Sequence, residues 1–171
     1  QIKYVGDDAP KAPGTVVLRN GTEENEILLS WLAPTAGVNG GYVNTANLNY
    51  TVVRYPEQVT VAEGLKERRF SEVLAPAQLT NYWYEVIAFN DTIRGESAFS
   101  NHRAYGVAKE IPYSEDFEDQ SVVANMFTII DANKDGSTWK AGNWNNGERN
   151  VYYEFHERNA ADDWLITPPL H

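Results

Sequence analysis

Cysteine is absent from the 171 residues of this chain, and its absence excludes several kinds of chemistry at once. Without thiols the chain forms no disulfide, binds no zinc through thiolates and carries no cysteine nucleophile. Apolar runs are also short, and none approaches the roughly 20 residues of a membrane-spanning helix. We therefore predict no membrane insertion. The chain begins in the polar stretch QIKYVGDDAP rather than a signal peptide, so we expect a processed or interior piece of a longer protein.

Positive charge is scarce, because 14 Lys and Arg stand against 24 Asp and Glu and leave a net charge of −10. Phosphate binding needs clustered Lys and Arg, so we predict no nucleic-acid partner. The deficit is uneven: residues 1–110 have a net charge of −3, and residues 111–171 have a net charge of −7. Clustered carboxylates repel one another unless they are solvated, paired or bound to a cation. The second part is therefore either a solvated acidic face or a cation site.

Short stretches with a period of two dominate residues 1–110, and helical periodicity is not evident. In the clearest stretch, Tyr82, Tyr84, Val86 and Ala88 share one face, which we expect in the core. The predicted strands are Thr15–Arg19, Glu26–Leu32, Leu48–Tyr55, Val59–Ala62, Arg69–Leu74, Tyr82–Asn90 and Ser97–Val107. Seven short strands with turn residues between them predict an all-β sandwich.

Several residues on these strands form a recognisable set. Trp31 is followed by Ala-Pro, Tyr50-x-Val52 lies on the third strand, and Tyr82 begins the alternating pattern that ends at Asn90. With this set the first half resembles a fibronectin type III domain over about 100 residues. The resemblance implies a seven-stranded fibronectin type III-like β-sandwich, with an N-terminal linker, over residues 1–110.

Oxygen-bearing side chains alternate in the second part at Asp131, Asn133 and Asp135, and Gly136 follows them. Oxygens at alternate positions can converge on one hard cation, and calcium takes about six to eight of them. The pattern matches the first half of an EF-hand loop, but Gly142 stands where the closing Glu is expected. The spacing alone leaves two interpretations open, a calcium site and a solvated Asx-turn loop.

Three strings of the second part resemble the start of a choice-of-anchor J or cleaved-adhesin domain, a MAM-like jelly-roll module of bacterial surface proteins. They are the stretch ending at Glu118, the loop that begins at Asp131, and the string DDWLITPP that begins at Asp162. The resemblance implies a partial jelly-roll segment over residues 111–171. It also implies a structural calcium ion held by Asp131, Asn133 and Asp135, with Glu118 and Asp162 as further ligands.

A jelly roll needs about eight strands, and the second part supplies fewer. Strands are predicted at Tyr113–Glu118, Phe127–Ile130 and Val151–His156, with a last one around Trp164. The apolar face of this incomplete segment should be buried by further chain, by strands swapped from another copy, or by an inter-domain contact with the first half. That face comprises Phe127, Ile129, Tyr153, Phe155, Trp164 and Ile166.

Three tryptophans fall near the end of the chain, and exposed tryptophans can stack on sugar rings. Trp139 and Trp164 stand at strand positions, so we predict that they belong to the core. Trp144 lies in the loop GNWNNG and is the predicted ligand-binding residue.

We predict no catalytic residues. Paired carboxylates could do acid–base work, but adjacent Asp162 and Asp163 would point to opposite faces of a strand. The predicted function is a non-catalytic adhesion or spacer module of a secreted or cell-surface bacterial multidomain protein, with an extracellular protein or glycan as its ligand. The alternative is a carbohydrate-binding accessory module of a larger glycosidase or protease.

Overall fold

The computed structural model describes residues 7–143, 147–155 and 157–171. The chain divides into two compact units, Gln1–Leu74 with Tyr82–Arg103, and Ala75–Asn81 with Ala104–His171. The strands of both units pair in antiparallel sheets, so the all-β prediction is confirmed. A division into domains at residues 110 and 111 stays a prediction. No helix within the described ranges is long and apolar enough to cross a membrane.

The strands of the first half pair in two sheets. They are β1 (Gly14–Asn20), β2 (Glu26–Leu32), β3 (Leu48–Tyr55), β4 (Val59–Leu65), β5 (Arg69–Val73), β6 (Thr80–Asn90), β7 (Ile93–Phe99) and β8 (Arg103–Tyr105). One sheet has the order β1-β2-β5. The other has the order β4-β3-β6-β7, and β8 also pairs with β6.

The prediction of one strand over Ser97–Val107 is wrong, because β7 ends at Phe99 and β8 begins only at Arg103. The side chain of Asn101 explains the break. Its Oδ1 accepts the N–H of Leu18 at 2.8 Å, and its Nδ2 donates to the carbonyl of Leu18 at 3.1 Å. A side-chain amide that pairs with the main chain of β1 competes with continuation of the β7 ladder.

Alternate residues of the two sheets fill the core of the first unit. On β2, Ile27, Leu29 and Trp31 are buried, and the residues between them are exposed. The rings of Trp31 and Tyr50 meet edge to face across the sheets with their centroids 5.2 Å apart. The predicted core residues Tyr82, Tyr84, Val86 and Ala88 are all buried, which confirms that part of the prediction. The two sheets therefore form a sandwich.

Aromatic rings cover part of the outer face of β6. Trp83 stacks on Tyr55, with ring centroids 5.4 Å apart, and on His102, with ring centroids 4.5 Å apart. Burial lowers the pKa of His102 below its ordinary value. The indole of Trp83 is therefore partly covered by two neighbouring rings.

The second unit contains one short helix and two pairs of strands. The elements are α1 (Ser121–Met126), β9 (Thr128–Asp131), β10 (Trp139–Asn143), β11 (Arg149–Tyr153) and β12 (Asp163–Ile166). Strands β10 and β11 form one two-stranded sheet, and β9 and β12 form another. The sequence did not predict α1, because six residues are too few to show a helical period. Of the predicted strand Val151–His156, His156 lies outside the described residues.

The strand predicted over Tyr113–Glu118 is wrong, and local side-chain bonds replace it. Glu115 accepts the N–H of Phe117 at 3.1 Å, and Asp116 accepts the N–H of Glu118 at 3.1 Å. Phe117 also has a φ of 61°, which is incompatible with an extended strand. Short acidic side chains that bond to the following main chain favour turns over sheet ladders.

The apolar face predicted for the second unit is largely exposed. Phe127 is buried as predicted, but Phe155 is 71% exposed, Trp164 is 60% exposed and Ile166 is 45% exposed. The prediction that Trp164 belongs to the core is wrong, whereas burial of this face by further chain or by another copy stays a prediction. Within the described part of the chain, β9 and β12 form only a two-stranded sheet. A sheet of that size offers its outer side chains no second layer to pack on.

Candidate functional site

The loop between β9 and β10 gathers the three residues predicted as calcium ligands. Asp131 stands at the end of β9, and its two carboxylate oxygens accept the N–H groups of Asp135, at 3.2 Å, and Gly136, at 2.9 Å. Gly136 has a φ of +81°, which favours glycine at this sharp turn. The Asp131 carboxylate therefore holds the loop closed through hydrogen bonds to its main chain.

Asn133 and Asp135 continue the same pattern. The Asn133 side chain donates to Asp135 Oδ2 at 3.2 Å and to the carbonyl of Ala160 at 2.7 Å. Asp135 Oδ1 accepts the N–H of Ser137 at 2.8 Å. The loop is thus a set of Asx turns tied to the chain that precedes β12.

Strand pairing brings Asp163, rather than Asp162, opposite Asp131. The register of β9 and β12 pairs these two residues directly. The Tyr153 hydroxyl donates to Asp163 Oδ2 at 3.0 Å. The pKa of Tyr153 is raised. Burial is the largest cause, and the hydrogen bond to Asp163 and nearby negative charges, including those of Asp131 and Asp135, add to it. Asp163 and Tyr153 are thus members of this cluster that sequence reasoning missed.

Asp162 and Glu118, the two ligands implied by family resemblance alone, are placed differently. The carbonyl of Asp162 accepts the N–H of Ala132 at 2.9 Å, and its carboxylate accepts Trp164 Nε1 at 3.3 Å. Glu118 is exposed, and its carbonyl accepts Arg149 Nη1 at 2.7 Å. Among residues 7–143, 147–155 and 157–171, no three His, Asp or Glu side chains are grouped to hold a metal ion. The loop geometry does not by itself form a calcium cage, so calcium binding stays a prediction.

Trp144, the predicted ligand-binding residue, lies outside the described residues. Of the other two tryptophans near the end of the chain, Trp139 is partly buried, and its ring lies tilted against Tyr153 with ring centroids 5.7 Å apart. Trp164 is the exposed one.

Asp8 holds a long loop onto the first unit. Its carboxylate accepts the Asn39 N–H at 2.8 Å, the Asn39 side chain at 3.0 Å and the Gly41 N–H at 2.9 Å. These hydrogen bonds, that from the Asn39 side chain first, lower the pKa of Asp8 below its ordinary value of 3.8. A Cβ added at Gly41 would stand only 2.8 Å from the Cβ of Asp8, so this close approach requires glycine. The sequence pattern predicted only a linker and a polar loop here.

A partly buried ion pair connects the two sheets of the first unit. Arg54 on β3 donates to Glu72 on β5 at 2.8 Å, and the Tyr84 hydroxyl on β6 donates to the other Glu72 oxygen at 2.8 Å. Glu57 lies 3.5 Å from the Arg54 Nε. The pKa of Arg54 is raised above its ordinary value, because the nearby negative charges of Glu72 and Glu57 outweigh burial, which acts in the opposite direction. These groups hold the two sheets of the sandwich together and do not form a binding site.

Three open depressions adjoin one another on the first unit, with volumes of about 750, 580 and 630 Å³. The first and second share Ser30, Glu67 and Arg69, and the second and third share Leu32, Lys66 and Arg68. The third depression is also lined by Leu48 and Tyr50 of β3, whose side chains are buried in the core. We call the three depressions together the basic trough, after their four cationic residues Arg19, Lys66, Arg68 and Arg69.

No protein-family model matches the sequence, and no curated protein matches it. Solved structures similar to the chain include a fibronectin type III-like protein from Clostridium thermocellum, with 20% identity and a TM-score of 0.41, covering 63% of this chain and 99% of that one. A human fibronectin type III domain has 19% identity and a TM-score of 0.41, with 60% and 90% covered. A structure of titin kinase and its flanking domains has 20% identity and a TM-score of 0.44, covering 57% of this chain.

This chain spans only 17% of the length of the titin kinase structure. At these identities and TM-scores the likenesses do not bear on function. The all-β fold rests on the hydrogen-bonded sheets described above.

Proposed function

We propose that the chain is a non-catalytic adhesion or spacer module of a secreted or cell-surface bacterial multidomain protein. The observation that supports the proposal is the use of buried polar side chains in the first unit. Asp8 holds the loop at Asn39, the Asn90 side chain donates to the Asp8 carbonyl at 3.1 Å, and Ser100 accepts the Tyr84 N–H at 3.0 Å. Side chains used in this way hold segments onto a packed sandwich, and a rigid sandwich can present a surface or set a distance.

Adhesion and catalysis can be tested on the whole chain. Beads that carry the chain are washed over immobilised extracellular proteins and glycans, and beads that carry the heat-denatured chain serve as the control. An adhesion module retains the beads, whereas a spacer does not. Turnover of any labelled protein or polysaccharide above the denatured control would contradict the non-catalytic proposal.

A carbohydrate-binding accessory role is the second candidate, and the hydroxyl and guanidinium groups around the basic trough favour it. Trp144 stays the predicted stacking residue for this role. Binding on a glycan array that is lost in Trp144→Ala would support it. An array pattern unchanged by the substitution would remove Trp144 from the proposal.

Contact of the exposed apolar face of the second unit with further strands, from another domain or from a swapped copy, also stays a prediction. Sedimentation over a range of concentrations tests the swapped copy. Self-association that Trp164→Ser weakens would support it, and a concentration-independent monomer would contradict it.

A further inference from the structure

We propose that the edge of β5 binds an extended peptide of a partner protein, which adds one strand to the β1-β2-β5 sheet. The inference names a partner class for the proposed adhesion role and rests on that role. It comes from the first unit, where β5 is a regular strand with a free edge, the other sheet edges are blocked or irregular, and the facing sheet extends one strand further.

One side of β5 pairs with β2, and the other side is an edge. The Trp31 N–H on β2 donates to the Arg68 carbonyl at 3.1 Å. Main-chain groups alternate in direction along a strand, so those of Arg69, Ser71 and Val73 point away from β2. All three residues are exposed, and β5 ends its sheet in the part of the chain that the structure describes. The edge therefore offers main-chain donors and acceptors over about 14 Å.

The other edges of the two sheets are blocked or irregular. On β1, the Asn101 side chain bonds to both main-chain groups of Leu18, at 2.8 and 3.1 Å. On β7, the Glu96 N–H donates to the Pro10 carbonyl at 2.9 Å. The pairing of β4 with β3 shifts register twice, and such irregularities disfavour further pairing at an edge. By contrast, β5 pairs with β2 without a register shift. It is therefore the edge best suited to accept another strand.

The facing sheet extends one strand beyond β5. Glu72 on β5 accepts hydrogen bonds from Arg54 on β3 and from Tyr84 on β6, so β5 lies over these two strands. The next strand of the facing sheet is β4. Val59 on β4 pairs with Arg54 and shares its inward face, yet it is 45% exposed. A strand added to β5 would lie over β4 and cover this face, so its inward side chains should be apolar.

The side chains along the edge define the chemistry of the peptide. Directly opposite residues of an antiparallel pair share one face of the sheet. An acidic residue opposite the exposed Arg69 would therefore meet its guanidinium group on the outer face, and an apolar residue opposite Phe70 would join the inner face. The main-chain groups of the edge favour a peptide, since adding a strand needs such groups on both partners. The projecting β4 favours one strand over a second copy of the sandwich, whose own facing sheet would need the same space.

The probe for the test is a capped peptide in which glutamate alternates with valine, long enough to span β5 and titrated against the whole chain. In an antiparallel pair, the residues opposite Arg69, Ser71 and Val73 direct their N–H groups at β5, and in the probe these residues are the glutamates. N-methylation of the glutamates should therefore lower the affinity at least about tenfold. N-methylation of the valines, whose N–H groups face away from β5, is the matched control and should change it less than about twofold.

Variants of the edge test the same contact from the side of the chain. Ser71→Pro removes an N–H that points away from β2, and proline is tolerated at such positions of an edge strand. We expect it to lower the affinity about tenfold, whereas Ser71→Thr keeps the N–H and should bind as the unchanged chain does. Arg69→Gln should weaken binding about threefold, and Arg94→Gln, at an exposed position on β7, should leave it unchanged. Circular dichroism checks that the variants are folded, and the N-methylated peptides need no variant at all.

Three results would overturn the inference. They are absence of probe binding, equal affinities of the two N-methylated peptides, and equal affinities of Ser71→Pro and Ser71→Thr for the probe. Self-association of the chain that Ser71→Pro abolishes would overturn the peptide in favour of a second copy. Retention of the beads without probe binding would overturn the edge site and leave the adhesion role standing, whereas probe binding without retention of the beads would support the edge site and contradict the adhesion role alone.

Discussion

The two units of this chain are both built from short antiparallel strands, yet they bury very different amounts of apolar surface. In the first unit, sheets of three and of at least four strands face each other, and residues such as Leu29 and Val86 lie almost entirely inside. In the second unit, two-stranded sheets leave large side chains such as Phe155 and Trp164 mostly exposed. The difference lies in the number of strands, since a sheet of two strands cannot form a layered core by itself.

The largest expected effect is on core packing in the first unit. Leu29→Ala removes a side chain that is 1% exposed, so we expect a loss of about 2–5 kcal/mol in the free energy of unfolding. Leu165→Ala is the matched change on β12, where the side chain is only partly buried, and it should cost less than about 1 kcal/mol. Urea denaturation of both variants measures the difference. Equal losses would show that the second unit is packed as tightly as the first.

Calcium should act on the second unit if its loop binds the ion. At a free concentration a hundred times the Kd, we expect a stabilisation of about 2.7 kcal/mol by mass action on the folded state. Calorimetry with added calcium and then with chelator measures it. A variant with Asp131→Asn and Asp135→Asn keeps oxygen atoms in place but removes the charge, and it should not respond. If neither calcium nor chelator shifts the Tm of the unchanged protein, the prediction is wrong.

A smaller effect is expected at the ion pair between the sheets of the first unit. Tyr84→Phe removes the hydroxyl that donates to Glu72 and should cost about 1–2 kcal/mol. Tyr42→Phe, at an exposed position, is the control and should change the stability little. Thermal unfolding gives both values. In a double variant with Glu72→Gln the losses should be less than additive, and full additivity would show that the two groups do not interact.

The smallest effect concerns pH and the loop that Asp8 holds. The pKa of Asp8 is lowered in the folded state, so its contribution is fully present above its ordinary value of 3.8. It is lost as the pH falls through the lower, folded value. The difference in Tm between the protein and Asp8→Asn should therefore be largest near neutral pH and shrink below about pH 4. Melting curves across this range measure it, and a constant difference would contradict the assigned hydrogen bonds.

Buried strand faces could be predicted from the sequence in the first unit but not in the second, again because their sheets differ in the number of strands. The period of two in β2 and β6 identified the buried faces of the sandwich, because in a complete sheet alternation and burial coincide. In the second unit the same argument placed Trp164 in the core, where it is not found. Alternation there identifies a face, but it does not say whether another layer covers that face.

The predicted metal loop shows a similar limit. The spacing of Asp131, Asn133 and Asp135 predicted a loop that binds calcium. Their side chains hydrogen-bond within this loop, and calcium binding stays a prediction. Asp163 was missed because its proximity to Asp131 depends on the register of β9 and β12, which are separated by more than 30 residues of chain. A search for alternating acidic residues on neighbouring strands would have found the signal only once the pairing was known.

The sequence by itself determined the all-β fold, the inward faces of the sandwich and the turns of the acidic loop, because these depend on local periodicity and on side chains that bond to nearby main chain. Only the tertiary structure decided which residues meet across strands. It placed Asp163 opposite Asp131 and brought the Asn101 side chain into hydrogen bonds with β1. It also brought Asp8 against the loop that contains Gly41, and it placed Arg19 and residues 66–69 around the basic trough. The physical reason is that strand pairing and sheet packing join residues distant in the chain, and local periodicity carries no information about those pairings.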